Sequence, residues 1–278
     1  MMNLLFCFDQ NYQQHFGVAI TSVLLNNLSS HFDVHIITNF MEEKLKQKLD
    51  TLSKNYKCSF HLYIINNLDK ISKLKVSDHV SNATYYRLIM AEILPKHIDK
   101  VLYLDSDVVV ISPLEELYNI DLENYFIAAS GFSGTLVKSK GFNSGVMVVN
   151  LEKWRNEQIS TKVIDFATKN RDKLPYHDQS ALNRVIKQNY LIIDRKWNFQ
   201  VDLSPRKIQK PDDNIALKNA RIIHYIGSSK PWYFWISDQR KNIYELYLKK
   251  SLWSTSKLQM IFQQTVYFRK ALQRKLKK

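Results

Sequence analysis

Short apolar runs alternate with helix-like segments through the first third of the chain, and this alternation constrains the fold more than any other feature. Strand-like runs cover Asn3–Phe8, Val34–Thr38 and Cys58–Ile65. Helical apolar spacing covers residues 19–28, Glu42–Leu52 and Ala83–Leu94, and the last of these stops at Pro95. Strands that alternate with helices predict an α/β fold with a mostly parallel sheet and helices on both of its faces.

Two further apolar runs, Val101–Leu104 and Val108–Ile111, flank an acidic Asp105-Ser106-Asp107 sequence. A third run covers Gly145–Asn150. Continuous apolar runs of this kind are typical of central strands that are buried on both faces. The polar segment 66–81 precedes these apolar runs and predicts a mobile loop beside a functional site.

The composition limits the size and class of the protein. A chain of 278 residues with 45% hydrophobic residues can bury a full core as one large catalytic domain with a modest appendage. Cys7 and Cys58 lie in apolar runs and lack the spacing of a zinc site or a disulfide framework, which fits a reducing cytosol. We expect no secretory signal, because residues 1–8 lack a basic start, a long apolar run and a small-residue cleavage site. We expect no transmembrane helix, because no uncharged apolar run approaches roughly 20 residues.

Positive charge is concentrated near the C-terminal end. The formal net charge is +14, and residues 249–278 contain nine Lys or Arg with no Asp or Glu. An apolar helical face that includes Leu258, Phe262 and Leu272 lies opposite a basic face, which is the pattern of an interfacial helix. Membrane phospholipid and nucleic acid both suit such a segment, and a helix packed on the catalytic domain is the structural alternative.

The two carboxylates around Ser106 are candidate metal ligands. In extended backbone, side chains two residues apart point to the same side, so Asp105 and Asp107 can hold one cation while Ser106 faces away. A divalent cation that bridges a diphosphate needs hard oxygen ligands, and ligands gather at strand ends in open parallel sheets. The alternative is that either Asp is an ordinary turn or helix-cap residue.

A second candidate segment runs from His224 to Trp232 and follows an apolar pair, Ile222–Ile223. The imidazole of His224 can complete a metal shell, Gly227 lets backbone N–H groups face a phosphate, and Lys230 neutralises charge on a leaving nucleotide. The alternative for His224 is a strand-end histidine satisfied by a backbone carbonyl.

Two shorter segments also contain candidate ligands. The amide of Asn143, just before a buried strand, suits sugar hydroxyls, and a plain turn Asn is the alternative. His177-Asp178-Gln179 opens a predicted helix, where Asp178 is either the N-cap or a sugar ligand at the same exposed position.

Taken in order, these segments resemble those of glycosyltransferase family 8, and most closely the bacterial lipopolysaccharide and lipooligosaccharide core galactosyl- and glucosyltransferases. The matching segments are Phe8-Asp9-Gln10-Asn11-Tyr12, Thr84-Tyr85-Tyr86-Arg87, Leu102 to Asp107, Phe142 to Gly145, Asp178 to Asn183, and His224 to Trp232. Gln10 and Ser180 stand where relatives often have acidic residues, and neither change removes a metal ligand. The resemblance implies an A-type nucleotide-sugar-binding fold, a UDP-galactose or UDP-glucose donor, and retention of the anomeric configuration.

By the same motif matching, the resemblance implies a role for each candidate residue. Manganese, with magnesium as the alternative, is held by Asp105, Asp107 and His224. The implied donor contacts are Asp9 and Asn11 at uridine, Arg87, Gly227 and Lys230 at the diphosphate, and Asn143 at the hexose. Asp105 and Ser106 also belong to the implied donor-binding residues. Asp178 and Gln179 lie at the reacting sugar, with Gln179 at most assisting a front-face attack.

The C-terminal segment also resembles the extension of the lipopolysaccharide core enzymes. We therefore expect a catalytic domain at 1–231 and an aromatic, basic, membrane-associating extension at 232–278. Trp232, Phe234, Trp235 and Trp253 are expected to line the acceptor site or to anchor at a headgroup boundary. A lipid-linked saccharide acceptor and a peripheral position on the inner face of the cytoplasmic membrane follow from the resemblance. No nucleic-acid partner is expected, because no recognised nucleic-acid-binding module is visible in the sequence.

Two other classes of protein remain open from the residues alone. An apolar strand before Asp105-Ser106-Asp107 also suits an aspartate-dependent phosphohydrolase. The basic balance of the chain suits a non-enzymatic nucleic-acid-binding protein.

Overall fold

The computed structural model describes residues 1–65, 82–132, 141–204, 211–254 and 265. Its strands are β1 (Met2–Cys7), β2 (Phe32–Thr38), β3 (Cys58–Ile64), β4 (Lys100–Leu104), β5 (Val108–Val110), β6 (Ile127–Gly131), β7 (Phe142–Asn150), β8 (Tyr190–Ile193), β9 (Phe199–Val201) and β10 (Ile222–Tyr225). Its α-helices are α1 (Gln13–Leu25), α2 (Glu43–Asn55), α3 (Met90–Ile93), α4 (Glu115–Tyr118), α5 (Leu151–Asn156), α6 (Ile159–Lys169), α7 (His177–Ile186), α8 (Pro211–Asn219) and α9 (Asn242–Lys250). The loop predicted at 66–81 lies outside the described residues.

Seven strands form one large sheet in the order β3-β2-β1-β4-β7-β6-β8. Strands β3, β2, β1 and β4 are parallel, β7 is antiparallel to both of its neighbours, and β6 and β8 are again parallel. The prediction of an α/β fold with a mostly parallel sheet is confirmed.

Side chains of β1 alternate between two apolar layers that cover the large sheet. Leu4 and Phe6 pack with residues of α1 and α2, whereas Leu5 and Cys7 pack with residues of α5, α6 and α7. Helices therefore cover both faces, as predicted. Cys7 and Cys58 are buried free thiols, which also agrees with the sequence.

A second sheet, β5-β10-β9, was not expected from the sequence. The apolar pattern predicts Val108–Ile111 as a further central strand, but β5 leaves the large sheet and pairs antiparallel with β10. On its other side β10 pairs parallel with β9. The acidic sequence between β4 and β5 therefore lies at the junction of the two sheets.

The helix predicted at Ala83–Leu94 forms in two parts. Residues Asn82–Ile89 wind as a 3₁₀ helix, and only α3 is α-helical. Thr84, Tyr85 and Tyr86 have low helix propensity, and the tight winding lets Nε of Arg87 donate to the carbonyl of Thr84 at 3.0 Å. A second difference concerns Leu28, which is exposed because α1 ends at Leu25.

The chain after β10 packs on α1. The Tyr244 hydroxyl lies 2.7 Å from Nδ1 of His15, and Asn26 donates to the Tyr247 hydroxyl at 2.7 Å. Trp253 is buried against Gly17. Among the described helices, none is both long and apolar enough to cross a bilayer. The predicted amphipathic tail lies outside the described residues beyond 254, apart from residue 265.

Candidate functional site

Asp105, Ser106 and Asp107 form a turn between the two sheets, not the extended strand end that the sequence predicts. The Asp105 N–H donates to the Gly145 carbonyl on β7 at 2.8 Å, and the Tyr225 N–H on β10 donates to the Asp107 carbonyl at 3.0 Å. The turn forms because a different sheet holds each of its ends. Ser106 is buried, and its hydroxyl makes no hydrogen bond to any residue that the structure describes.

His224 lies opposite the two carboxylates. In β10 it pairs with Val108, the first residue after the turn. Its Nε2 lies 3.3 Å from Oδ1 of Asp107 and 3.7 Å from Oδ2 of Asp105. One ligand atom from each of these three residues lies within 4.8 Å of the other two. The structure therefore brings together the three residues predicted as metal ligands.

A hydrogen-bond chain behind His224 fixes the tautomer of its ring. Nδ1 lies 2.9 Å from Oδ1 of Asn198, whose Nδ2 donates to Oδ1 of Asn143 at 2.8 Å. Oδ1 of Asn143 also accepts the Gly145 N–H at 3.0 Å, which sets the orientation of both amides. Because Oδ1 of Asn198 can only accept, Nδ1 holds a proton, and the neutral form of the ring therefore has its lone pair on Nε2.

The cluster fits a divalent cation. The Nε2 lone pair of His224 faces oxygens of Asp105 and Asp107, so three electron-pair donors converge on one point. Oδ1 of Asp107 is buried and receives no hydrogen bond from the described part of the chain. The backbone-carbonyl alternative for His224 is wrong, and Asn143 lies in strand β7 and not in a turn.

Gly145 leaves room for this cluster. A Cβ atom at this position would lie 2.2 Å from Cε1 of His224 and 2.8 Å from Oδ2 of Asp105. Heavy atoms that are not bonded to each other do not approach so closely, so a side chain at 145 would displace a ligand.

Lys230 holds the other oxygen of Asp107. Its Nζ lies 2.6 Å from Oδ2 of Asp107 and donates to the Tyr225 carbonyl at 2.5 Å. Burial raises the pKa of Asp107, but the charge of Lys230 is the largest opposing effect, and this pKa lies well below its usual range. Gly227 has φ of +75°, a left-handed conformation that favours glycine.

Arg87 connects the acidic turn with α7. Its buried guanidinium places Nη1 3.0 Å from Oδ1 of Asp105 and Nε 2.9 Å from Oδ2 of Asp178. The Tyr103 hydroxyl donates to the same Asp105 oxygen at 2.6 Å. The N-cap interpretation of Asp178 is wrong, because Tyr176 is the N-cap of α7. Asp178 is also buried and not exposed, since it pairs with the buried Arg87.

Asp178 and Gln179 lie together in the first turn of α7. Burial raises the pKa of Asp178 to about 6, against the opposing charge of Arg87. Oε1 of Gln179 accepts the Ser144 N–H at 2.9 Å. This contact ties Gln179 to β7, next to Asn143.

Asp9 and Asn11 lie at the carboxyl end of β1. Oδ1 of Asp9 caps a short 3₁₀ helix, Gln10–Tyr12, by accepting the N–H groups of Asn11 at 2.9 Å and Tyr12 at 3.2 Å. Strand β1 is parallel to β4, so both residues lie at the same sheet edge as Asp105. Asp9, Asn11 and Asp105 thus share one edge of the large sheet.

Sequence reasoning missed Asn198 and Tyr103, both of which contact the cluster. Asn198 stands between Trp197 and Phe199, and a single polar residue in such an apolar context is the signal that marks it. Tyr103 looks like an ordinary core residue of β4, and its hydrogen bond to Asp105 appears only in three dimensions.

The fold has the α/β architecture of the A-type glycosyltransferases. A structure of the galactosyltransferase LgtC in complex with donor and acceptor sugar analogues matches with a TM-score of 0.75 and 23% identity, over 92% of this chain and 98% of that one. The glycosyltransferase GlyE of Streptococcus pneumoniae TIGR4 matches with a TM-score of 0.71 and 23% identity, over 89% of this chain and 60% of that one.

The model of glycosyl transferase family 8 matches residues 3–236, and the chain belongs to this family. Lipopolysaccharide 1,2-glucosyltransferase of Escherichia coli K12 is 28% identical over 267 residues, which cover 91% of this chain and 79% of the relative. Lipopolysaccharide 1,3-galactosyltransferase of Salmonella typhimurium LT2 is 28% identical over 249 residues, which cover 84% of this chain and 73% of the relative. The family resemblance is confirmed, and the phosphohydrolase and nucleic-acid-binding alternatives receive no support.

Proposed function

We propose that this protein transfers a galactosyl or glucosyl unit from a UDP-sugar to a saccharide acceptor of the lipopolysaccharide or lipooligosaccharide core, with retention of the anomeric configuration. The names of the E. coli and Salmonella relatives support the hexose and the acceptor class. Because one relative is a glucosyltransferase and the other a galactosyltransferase, both UDP-glucose and UDP-galactose are candidate donors.

The convergence of Asp105, Asp107 and His224 is the observation that supports this proposal most strongly. We assign these residues to Mn²⁺, with Mg²⁺ as the alternative, because two carboxylates and one imidazole suit a hard or borderline divalent ion. When bound, the ion supplies positive charge that stabilises the departing diphosphate.

The other candidate residues are assigned from the uridine end of the donor to the hexose. Uridine is bound by Asp9 and Asn11. The diphosphate is bound by Arg87, Gly227 and Lys230, and Ser106 adds a hydroxyl contact. The hexose is bound by Asn143, Asp178 and Gln179. Oε1 of Gln179 already accepts the Ser144 N–H, so we assign Gln179 to positioning the sugar and not to nucleophilic attack. This assignment suits a front-face mechanism, which needs no carboxylate nucleophile of the kind that retaining glycosidases use.

A peripheral position on the inner face of the cytoplasmic membrane completes the proposal. Nine basic residues without an acidic one lie in 249–278, and a basic residue near an anionic leaflet contributes on the order of 1 kcal/mol. An enzyme held at this surface meets a lipid-linked acceptor where that acceptor is embedded. The division into a catalytic domain at 1–231 and an extension at 232–278 belongs to the same proposal, with membrane contact assigned to the basic residues beyond 254.

The variant Asp107→Asn tests the metal assignment. A neutral amide cannot balance both the cation and Lys230, so we expect sugar transfer to fall by about a hundredfold or more. UDP affinity in the presence of Mn²⁺ should fall to the value measured in EDTA. UDP release from UDP-galactose and from UDP-glucose measures turnover, and calorimetry measures UDP binding.

Asp50→Asn, which neutralises an exposed carboxylate on α2, is the matched control and should behave as the unmodified protein. Mn²⁺-dependent UDP binding that persists in Asp107→Asn would contradict the assignment.

A further inference from the structure

Three consecutive aromatic residues after Lys230 form an exposed surface cluster. Phe234 and Trp235 are 47% and 48% exposed. The rings of Tyr233 and Trp235 stack at 4.5 Å with an interplanar angle of 13°, and Phe234 meets Trp235 edge-on at 5.0 Å. We call these three residues the aromatic shelf. Contiguous exposed apolar surface of this kind marks interaction sites on soluble domains.

Burial on either side of the aromatic shelf turns its residues outward. Trp232 stacks on His15 with ring centroids 3.4 Å apart, and Ile236 is buried in the apolar cluster around the small sheet. Two successive turns keep the segment compact. The Tyr233 N–H donates to the Lys230 carbonyl at 3.1 Å, and the Ile236 N–H donates to the Tyr233 carbonyl at 3.2 Å. The three rings therefore stay close to Lys230.

The segment that contains the aromatic shelf is fixed at both ends beside the candidate metal cluster. At its start, Lys230 pairs with Asp107. At its end, Nη2 of Arg240 donates to the carbonyl of Asp202 at 3.2 Å, and the Tyr225 hydroxyl donates to the carbonyl of Arg240 at 2.8 Å. Asp202 directly follows β9 and Tyr225 directly follows His224, so both anchors lie at the strand ends that form the site.

The charges around the aromatic shelf suit a neutral ligand. Basic side chains that flank it are paired with carboxylates: Lys230 with Asp107, Arg240 with Asp238, and Lys241 with Glu245. Paired charges attract an anionic lipid surface weakly. Sugar rings, in contrast, have apolar C–H faces that pack on aromatic rings, while polar groups nearby bind their hydroxyls.

We infer that the aromatic shelf binds the acceptor saccharide by stacking against its sugar rings, and that Trp235 thereby determines acceptor selectivity. This inference rests on the proposed function, because only a transferase needs a second saccharide next to the donor diphosphate. The position of the shelf, a few residues beyond the proposed diphosphate contact Lys230, matches this requirement.

The variant Trp235→Ala tests the inference, with Trp235→Phe as the conservative variant. Leu246→Ala, which removes a 49% exposed side chain from α9, is the matched control. The saccharide probes are the methyl β-glycosides of galactose and glucose together with lactose and maltose. Saturation-transfer NMR with UDP and Mn²⁺ measures their binding, and transfer assays measure acceptor KM.

We expect Trp235→Ala to raise the Kd and KM of the bound saccharides roughly tenfold, while Trp235→Phe recovers most of the loss. Donor KM and UDP-sugar hydrolysis without acceptor should not change, because Trp235 is absent from the proposed donor contacts. Leu246→Ala should match the unmodified protein in every assay.

Unchanged saccharide affinity in Trp235→Ala would overturn the inference, and so would an unmodified protein that binds none of the probes. Loss of binding to phosphatidylglycerol vesicles with unchanged saccharide affinity would assign the shelf to the membrane instead. Failure of the unmodified protein to release UDP from either donor would contradict the proposed function separately, since NMR measures saccharide binding without turnover.

Discussion

At the scale of single residues, His15 links a buried ring contact to the pH dependence of stability. Its ring stacks on Trp232, and Nδ1 lies 2.7 Å from the Tyr244 hydroxyl. Burial lowers the pKa of His15 to about 3, although the charge of Asp107 opposes this shift. Histidines in an unfolded chain titrate near pH 6.5. Below about pH 6.5, the unfolded state therefore binds a proton at His15 that the folded state does not bind.

The variant His15→Phe should therefore lose part of the acid sensitivity of the protein. The stability that the neutral imidazole contributes is fully present above about pH 6.5 and is lost as the pH falls toward 3, by at most about 1.4 kcal/mol per pH unit. Phenylalanine keeps the stacking on Trp232 and cannot be protonated. Urea unfolding at a series of pH values from neutral to acidic measures the difference.

His31→Phe, which removes an exposed imidazole, is the control for this series. Parallel stability curves for His15→Phe and the unmodified protein would contradict the prediction.

The candidate site shows how far single residues can be predicted from the sequence. Asp105, Asp107 and His224 could be named because each follows an apolar run, and strand ends meet at one edge of an α/β sheet. Asn198 could not, since an amide that orients an imidazole is recognised only by the geometry that brings the two together. The same applies to Asp178, whose burial depends on a guanidinium 91 positions earlier in the chain.

At the scale of elements, Arg155 of α5 holds the connection between α3 and β4. Its guanidinium donates to five backbone carbonyls, those of Ala91, Leu94, Pro95, Lys96 and Ile98. Pro95 has no N–H to donate to the Ala91 carbonyl, and Arg155 supplies a donor there instead. The Pro95 carbonyl accepts the Ile98 N–H at 3.0 Å as well as the guanidinium. A lysine has one ammonium group and cannot replace a planar fork of donors.

Arg155→Lys should consequently destabilise the protein by about 2 kcal/mol without affecting UDP binding. A shift in the urea midpoint at constant m value measures this loss, and calorimetry checks the site. Lys162→Met, at an exposed position of α6, should leave the midpoint unchanged. A midpoint for Arg155→Lys equal to that of the unmodified protein would show that water satisfies these carbonyls.

Elements with strong apolar periodicity were predicted correctly, and those fixed by distant partners were not. Local apolar patterns predict strands β1, β2, β3, β4 and β7, because the order of apolar and polar residues shows whether one or both faces of a strand are buried. The turn at Ser106 forms because Gly145 and Tyr225 hold the backbone on either side of it. No local pattern distinguishes this turn from a strand that continues into Val108.

At the scale of the whole molecule, Trp253 fixes the end of the described chain against α1. Its ring packs against Gly17 and Phe16, and its Nε1 donates to Gln13 at 3.3 Å. Lys48 lies over the ring at 4.7 Å. A membrane test by truncation must therefore cut after Ser254 and not before Trp253.

A protein ending at Ser254 should keep its stability and its UDP-sugar hydrolysis. It should lose binding to phosphatidylglycerol vesicles at low salt, because residues 255–278 contain seven basic residues and no acidic one. A protein ending at Leu248 should lose about 3–5 kcal/mol more, the cost of removing a buried tryptophan. Urea unfolding and vesicle sedimentation measure both outcomes. Equal stability of the two truncations would contradict the packing role, and vesicle binding by the longer one would place membrane contact elsewhere.

Gly145 has a consequence for how relatives of this protein are judged. Gly145 contributes space for the ligands, and a search of sequences for metal-ligand residues does not detect this contribution. A relative with alanine at this position would still have both aspartates and the histidine, and would be counted as an active transferase from its motifs. Its imidazole would have to leave the position that His224 has here, so this site depends on a missing methyl group as much as on the ligands that surround it.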